Sequence, residues 1–251
     1  MARRFLTALP VYNEVGHVGP VLDEVLRYSK EVLVVDDGST DGTSALLAKR
    51  NDVHVIRHPR NRGYGAALAS AFRHALYDDY DVLVTIDCDG QHQPRMIPDF
   101  VVACEDDIDI VSGSRYLKQF EGDSRPPEAR RKINEQITAE LNCRLGLHLT
   151  DGFCGFKAYS VPALAKLDIT EPGYAMPLEL WVQAANRDFR IIEMAVPLIY
   201  LDEARSFGGS LDNANIRLQH YRDVLDRSLA ALREPKSPEF GKPLACPGTA
   251  S

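Results

Sequence analysis

The chain has 251 residues, 45% hydrophobic and 26% charged, the composition of a soluble domain long enough to bury a full core. With 29 basic against 36 acidic residues, its formal charge of -7 excludes blanket binding of nucleic acid, whose phosphates demand a basic face. No stretch approaches the roughly 20 apolar residues of a membrane span, so the protein is expected in the cytoplasm, free or peripheral at a membrane.

Arg3 and Arg4 begin the chain as a signal peptide might be charged, but the apolar stretch behind them is short and ends in a polar turn. Residues 5–9 therefore read as a first strand, stopped by Pro10. Helical spacing over 18–28 is followed by the β-branched run 31–35, which breaks off at Asp36-Asp37-Gly38-Ser39. A helix over 43–50, a strand over 53–58, an Ala-rich helix over 66–77 and a strand over 82–86 follow. Strands alternating with helices predict an α/β fold with a mostly parallel central sheet covered on both faces. Beyond it come a strand over 108–112, an amphipathic helix over 128–145, a turn-and-strand region over 150–159 and a helix over 178–186. Residues 191–200 read as a strand whose Pro197 suits an edge or an end, and the last helix spans about 212–233. Four prolines in 234–251 and few large apolar residues predict a disordered tail. Cys88, Cys104, Cys143, Cys154 and Cys246 lack the spacing of a zinc site and are odd in number, so free thiols are expected.

Three polar clusters each follow an apolar strand: Pro10-Val11-Tyr12-Asn13-Glu14, Asp36–Asp41 and Asp87-Cys88-Asp89-Gly90-Gln91. In parallel sheets ligands bind beyond the carboxyl ends of the strands, so the three are predicted to converge on one crevice. Asp87 and Asp89 are two residues apart and face the same way, which offers Mg²⁺ or Mn²⁺ two hard oxygen donors. The same string also reads as a polar turn. Ser39, Thr40 and Asp41 read as helix caps, which leaves the paired acids Asp36 and Asp37 to meet a base or a ribose.

These strings, together with Asn61-Arg62-Gly63-Tyr64-Gly65-Ala66, stand in the order and spacing of the family 2 glycosyltransferases with the GT-A fold. The chain resembles their dolichyl-phosphate mannosyltransferase-like, polyprenyl-phosphate branch over residues 5–209. The resemblance implies a Rossmann-like three-layer domain over 1–233, ending in a C-terminal helix. It implies a nucleotide pocket from Pro10, Tyr12, Glu14, Asp36 or Asp37, with Gly63 and Gly65 letting the backbone approach the nucleotide. Asp87, Asp89 and Gln91 fall at the family's metal and diphosphate site. Ser112-Gly113-Ser114-Arg115-Tyr116 and Arg131 fall where the branch holds the acceptor phosphate. Asp151-Gly152-Phe153-Cys154-Gly155-Phe156-Lys157 resembles a string that puts Asp151 and Lys157 near acceptor and sugar. Arg205 opens a loop that closes over the diphosphate. Two positions depart from the branch: Glu135 stands where it has a serine, and Leu211 where it has a lysine.

The reaction so implied inverts the anomeric carbon of a GDP- or UDP-sugar, mannose or glucose, through an oxocarbenium-like transition state. A polyprenyl-phosphate acceptor is already anionic and needs no strong base, whereas a hydroxyl acceptor would call on Asp151. Such an acceptor implies a membrane surface, reached directly or through a membrane partner protein. The apolar stripe Ile216, Leu218, Tyr221, Val224, Leu225, Leu229 and Leu232 on the last helix fits core packing or that surface. Two rivals use similar elements. A nucleotidyltransferase needs a Gly-rich basic phosphate loop that Pro10–Glu14 does not supply, and a non-catalytic nucleotide-sugar binder would not need Asp87, Asp89 and Arg205 intact.

Overall fold

The apolar runs of the first half become parallel strands whose connecting helices cross from one face of the sheet to the other. The computed structural model describes residues 3–105, 107–201 and 209–233. In chain order the elements are β1 (Phe5–Val11), α1 (Val18–Val25), β2 (Val32–Asp36), α2 (Thr43–Leu47), β3 (His54–Arg57), α3 (Tyr64–Tyr77) and β4 (Val82–Thr85). Then come α4 (Ile97–Ala103), β5 (Ile110–Ser114), α5 (Glu128–Leu145), β6 (Lys157–Ser160), α6 (Val161–Leu164), α7 (Met176–Asn186), β7 (Ile191–Ala195) and α8 (Ala214–Arg233). Among the described residues the strands form one sheet in the order β3-β2-β1-β4-β6-β5-β7. β6 runs antiparallel to β4 and β5, and the other neighbours are parallel.

The chain travels outward from β1 to β3, then returns through α3 to place β4 on the other side of β1. That reversal opens a crevice between the carboxyl ends of β1 and β4. Strand alternation divides the core. Leu6, Ala8, Leu33 and Val35 pack with α3, Tyr159 and the fully buried Trp181 on one face. On the other, Leu9, Val11, Val32 and Val34 pack with Leu22, Phe100 and Phe156. The last two rings stack with centroids 4.1 Å apart.

Several boundaries differ from the sequence expectation, for local reasons. Pro10 does not stop β1, which continues to Val11. The Pro10 nitrogen faces the β4 side, where pairing has ended with Thr85 against Ala8, so no ladder hydrogen bond is lost. β5 begins two residues later than expected, and β7 is an edge strand that ends before Pro197. The short helices α4 and α6 carry Pro98 and Pro162 in their first turns, where proline is tolerated, and their length hid their period in the sequence. Tyr221, Val224 and Leu225 of α8 are buried, with Leu218, Leu229 and Leu232 packed beside them. The stripe therefore serves the core, and Ile216 stays exposed. Among the described residues no helix is long and apolar enough to cross a membrane. Cys88, Cys104, Cys143 and Cys154 are free thiols, the first two and Cys154 buried. The expected loop with Arg205 and the expected tail 234–251 lie outside the described residues.

Candidate active site

The crevice deepens into a cavity of about 670 Å³. Pro10, Tyr12, Glu14, Asp37, Gly63, Asp87, Asp89, Gln91 and Arg115 line it, so the three clusters and the first arginine do meet. β4 sets the carboxylate end. Ile86 and Cys88 keep the strand's alternation and are buried, so Asp87 and Asp89 turn toward the cavity. Gly90 takes a left-handed turn (φ 74°), and the Gln91 N–H donates to Asp89 Oδ1 at 3.0 Å. Asp87 is held from three sides. The Tyr64 hydroxyl donates to its Oδ1 at 3.1 Å, its own N–H donates to His92 Nδ1 at 3.2 Å, and Gly155 lies against its carboxylate. A Cβ at position 155 would fall 2.2 Å from Asp87 Oδ2, so no other residue fits there. Burial and the charge of Asp87 hold the Tyr64 phenol well above its usual range, so it remains a donor.

Among the described residues no group of three His, Cys, Asp or Glu forms a complete metal cage. Asp87 and Asp89 instead offer two hard oxygens beside an open cavity. That donor set fits Mg²⁺ or Mn²⁺ with its remaining positions filled by a diphosphate and water.

Asp36 and Asp37 part company, as neighbours on a strand must. Asp37 reaches the cavity and gathers the 58–63 segment: Arg62 N–H and His58 Nδ1 meet its Oδ1 at 2.9 and 2.6 Å, and Gly63 N–H donates to its Oδ2 at 2.7 Å. Asp36 is fully buried on the far side, accepting from Ser39 N–H at 2.9 Å and from the Ser44 hydroxyl, with Arg57 Nε at 3.6 Å. It anchors the start of α2 and does not touch the cavity. Glu14 lines the cavity beside His17, whose Nδ1 is 2.9 Å from its Oε2.

Arg115, Arg130 and Arg217 also line the cavity, with His220, Tyr200 and Tyr221. Arg115 is fixed by a bidentate pair with Asp151, Nε to Oδ2 at 2.6 Å and Nη2 to Oδ1 at 3.0 Å. Asp151 is fully buried and also accepts from Asn134 Nδ2 at 2.9 Å and Phe153 N–H at 3.1 Å. Burial acts to raise its pKa, but the charge and hydrogen bonds of Arg115, with those of Asn134 and Phe153, hold it well below the carboxylate range. Arg130 donates to the Tyr200 hydroxyl and lies 5.7 Å from the centre of its ring. Arg217 is buried and donates to Leu211 O at 2.6 Å.

Residues 7–168, well over half the chain, match the family model described as glycosyl transferase family 2. The chain belongs to that family. Relatives of this glycosyltransferase include the undecaprenyl-phosphate mannosyltransferase of Micrococcus luteus, 32% identical over 87% of this chain and 93% of the relative. Another is the polyprenol monophosphomannose synthase of Mycolicibacterium smegmatis, 31% identical over 92% of each chain. These alignments place it in the polyprenyl-phosphate, dolichyl-phosphate mannosyltransferase-like branch. Its fold matches glucosyl-3-phosphoglycerate synthase of Mycobacterium tuberculosis at 21% identity, with a TM-score of 0.65 over 92% of this chain and 80% of that one. Mannosyl-3-phosphoglycerate synthase of Rubrobacter xylanophilus matches at 18% identity and a TM-score of 0.67, over 94% and 79%. The α/β fold is thus the GT-A fold.

Not every residue expected at the transferase site reaches it. Arg131 is exposed on α5 and pairs with Glu135 at 2.7 Å, away from the cavity, and Arg130 lines the wall in its place. Glu135, the departure from the branch's serine, does not line the cavity and is taken up by its pair with Arg131. Asp151 and Lys157 lie behind the wall. The Lys157 ammonium donates to Cys154 O and sits 5.3 Å from the centre of the Trp181 ring, where burial lowers its pKa. Gly65 also stands back. A Cβ there would meet Glu171 O at 2.2 Å, and one at Gly63 (φ 104°) would meet Pro172 O at 2.3 Å, so both glycines admit the 171–172 backbone. Leu211 lines the cavity. Tyr64, Arg217 and His220 also line the cavity; Tyr64 is masked in the sequence by the glycines on either side of it, and the other two by the apolar stripe of α8.

Proposed function

We propose that this transferase moves a hexosyl group, mannose or glucose, from a GDP- or UDP-sugar to the phosphate of a polyprenyl phosphate, with inversion. The observation that carries the reading is a single cavity lined both by a carboxylate pair at the β1–β4 switch and by three arginines, Arg115, Arg130 and Arg217. The carboxylates suit a cation-bound diphosphate and the arginines a phosphate acceptor. The relatives' names supply the same acceptor class, and solved structures of the fold hold UDP-glucose and Mn²⁺. Asp87 and Asp89 would hold Mg²⁺ or Mn²⁺, which when bound neutralises charge on the departing diphosphate. Asp37 and Glu14, which line the cavity, would read a base or ribose, with Tyr12 and Pro10 beside them.

In the reaction an acceptor phosphate oxygen bonds to the anomeric carbon as the bond to the diphosphate oxygen breaks, releasing the nucleoside diphosphate. The attacking oxygen is anionic, so no proton must be removed. That suits a site where Asp151, the base a hydroxyl acceptor would call on, is buried in its pair with Arg115. Arg115, held rigid, and Arg130 would orient the acceptor, and positioning with charge stabilisation supplies the rate. The acceptor's lipid brings the reaction to a membrane surface, where the chain binds peripherally or through a membrane partner.

Incubation with Mg²⁺ or Mn²⁺, polyprenyl phosphate and a panel of GDP- and UDP-hexoses tests the reading. Release of nucleoside diphosphate that depends on the acceptor is expected. Pyrophosphate release would mark a nucleotidyltransferase instead, and tight binding of every donor without turnover a non-catalytic binder.

A further inference from the structure

Tyr64 is the first residue of α3 and stands between two glycines that have no room for a side chain. The backbone at Gly63 is left-handed and presses on Pro172 O, Gly65 presses on Glu171 O, and the Ala66 N–H donates to Pro172 O at 3.1 Å. The Gly63 N–H is tied on its other side to Asp37 Oδ2 at 2.7 Å. The turn that carries Tyr64 is thus clamped between Asp37, just beyond β2, and the 171–172 segment. Its ring is fixed again by stacking on Tyr174, centroids 5.8 Å apart and planes 19° apart. So much constraint on one ring delivers its hydroxyl to one atom, Asp87 Oδ1, at 3.1 Å. Gly155 lies against the same carboxylate, so the side chain has contacts there besides the Tyr64 hydroxyl that sets its orientation.

We infer that Tyr64 is a positioning residue for cation binding, its hydroxyl holding the Asp87 carboxylate in the orientation that presents an oxygen to a divalent metal ion. The inference rests on the reading of Asp87 and Asp89 as the cation's protein ligands. A hydrogen bond to a ligating carboxylate fixes its rotamer before the ion arrives, and loss of such a partner weakens metal affinity by about 10-fold or more. In this role Tyr64 acts through Asp87.

Tyr64→Phe removes one oxygen and keeps the ring, so the stacking and the clamp survive. The test is a titration of Mn²⁺ into the full-length protein, with GDP and separately with UDP present, followed by calorimetry or the Mn²⁺ resonance signal. Asp89→Ala and the parent protein are titrated alongside. Tyr64→Phe is expected to weaken Mn²⁺ binding by about 10-fold. Its melting temperature without metal should stay close to that of the parent. In turnover, the metal concentration for half-maximal rate should rise by the same factor while kcat at saturating metal changes little. Mn²⁺ affinity within twofold of the parent in Tyr64→Phe, with binding lost in Asp89→Ala, would overturn the role of Tyr64 and leave the carboxylate site standing. Unchanged Mn²⁺ binding in both variants would overturn the carboxylate site and the inference together.

Discussion

Asp151 shows how far a residue's role depends on what folds against it. In the string Asp151–Lys157 it reads as an acid near the acceptor, yet its partner Arg115 lies 36 positions away, and the two meet only because β5 and the loop before β6 adjoin. Breaking this pair strands a guanidinium in a largely buried site, so Asp151→Asn is expected to cost about 3 kcal/mol at neutral pH. Because the folded-state pKa is depressed, the pair's contribution is fully present above the unfolded value near 3.8 and fades as pH falls below it toward the folded value. Urea titrations should therefore find the gap between Asp151→Asn and the parent constant from neutral to mildly acidic pH. At about pH 3 it should be narrower. The two adjacent arginines of α5 offer a second residue-scale comparison. Arg130→Ala should raise the KM for a polyprenyl phosphate several-fold, whereas Arg131→Ala, whose side chain faces solvent beside Glu135, should leave KM and Tm near the parent's. Steady-state kinetics on the pair decides which arginine faces the acceptor.

At the scale of elements, the strand ends were legible in the sequence and the long-range supports were not. A β-branched run cut off by acids, as at Val32–Asp36 or after Val82–Thr85, announces a parallel strand with a polar mouth, and the carboxylates fall where that rule puts them. Which of Asp36 and Asp37 faces the cavity depends on strand register, and one residue of shift exchanges their roles. No local signal shows that Gly155 must lack a side chain because Asp87 lies against it, 68 positions earlier in the chain. Gly63 and Gly65 were legible as a special turn, but what they make room for is backbone at 171–172. Gly65→Ala should therefore destabilise the fold by about 1–3 kcal/mol through overpacking, read as a drop in Tm without added ligand. Were the glycine needed only to admit a nucleotide, the apo protein's Tm would be unchanged and nucleotide affinity alone would fall.

For the whole molecule, the division of labour follows from the topology. The parallel half, β3-β2-β1-β4, supplies the carboxylate end of the cavity, and α5, α8 and the segments around β5–β7 supply the arginine wall. One half was readable because its motifs are local runs at strand ends. The other half is assembled from residues far apart in sequence, such as Arg115, Arg130 and Arg217, and only the fold brings them to one wall. In the proposed reaction the carboxylates and the arginines act on one transfer. The direct measurement is hexose-labelled GDP- or UDP-sugar incubated with polyprenyl phosphate and Mg²⁺ or Mn²⁺, with label counted in the organic phase. Labelled lipid that requires the metal, is acid-labile as a glycosyl phosphate should be, and disappears in Asp89→Ala is the predicted result. Label that never enters the lipid with any donor, or that enters it equally in Asp89→Ala, would rule out a metal-dependent transfer to polyprenyl phosphate at this site.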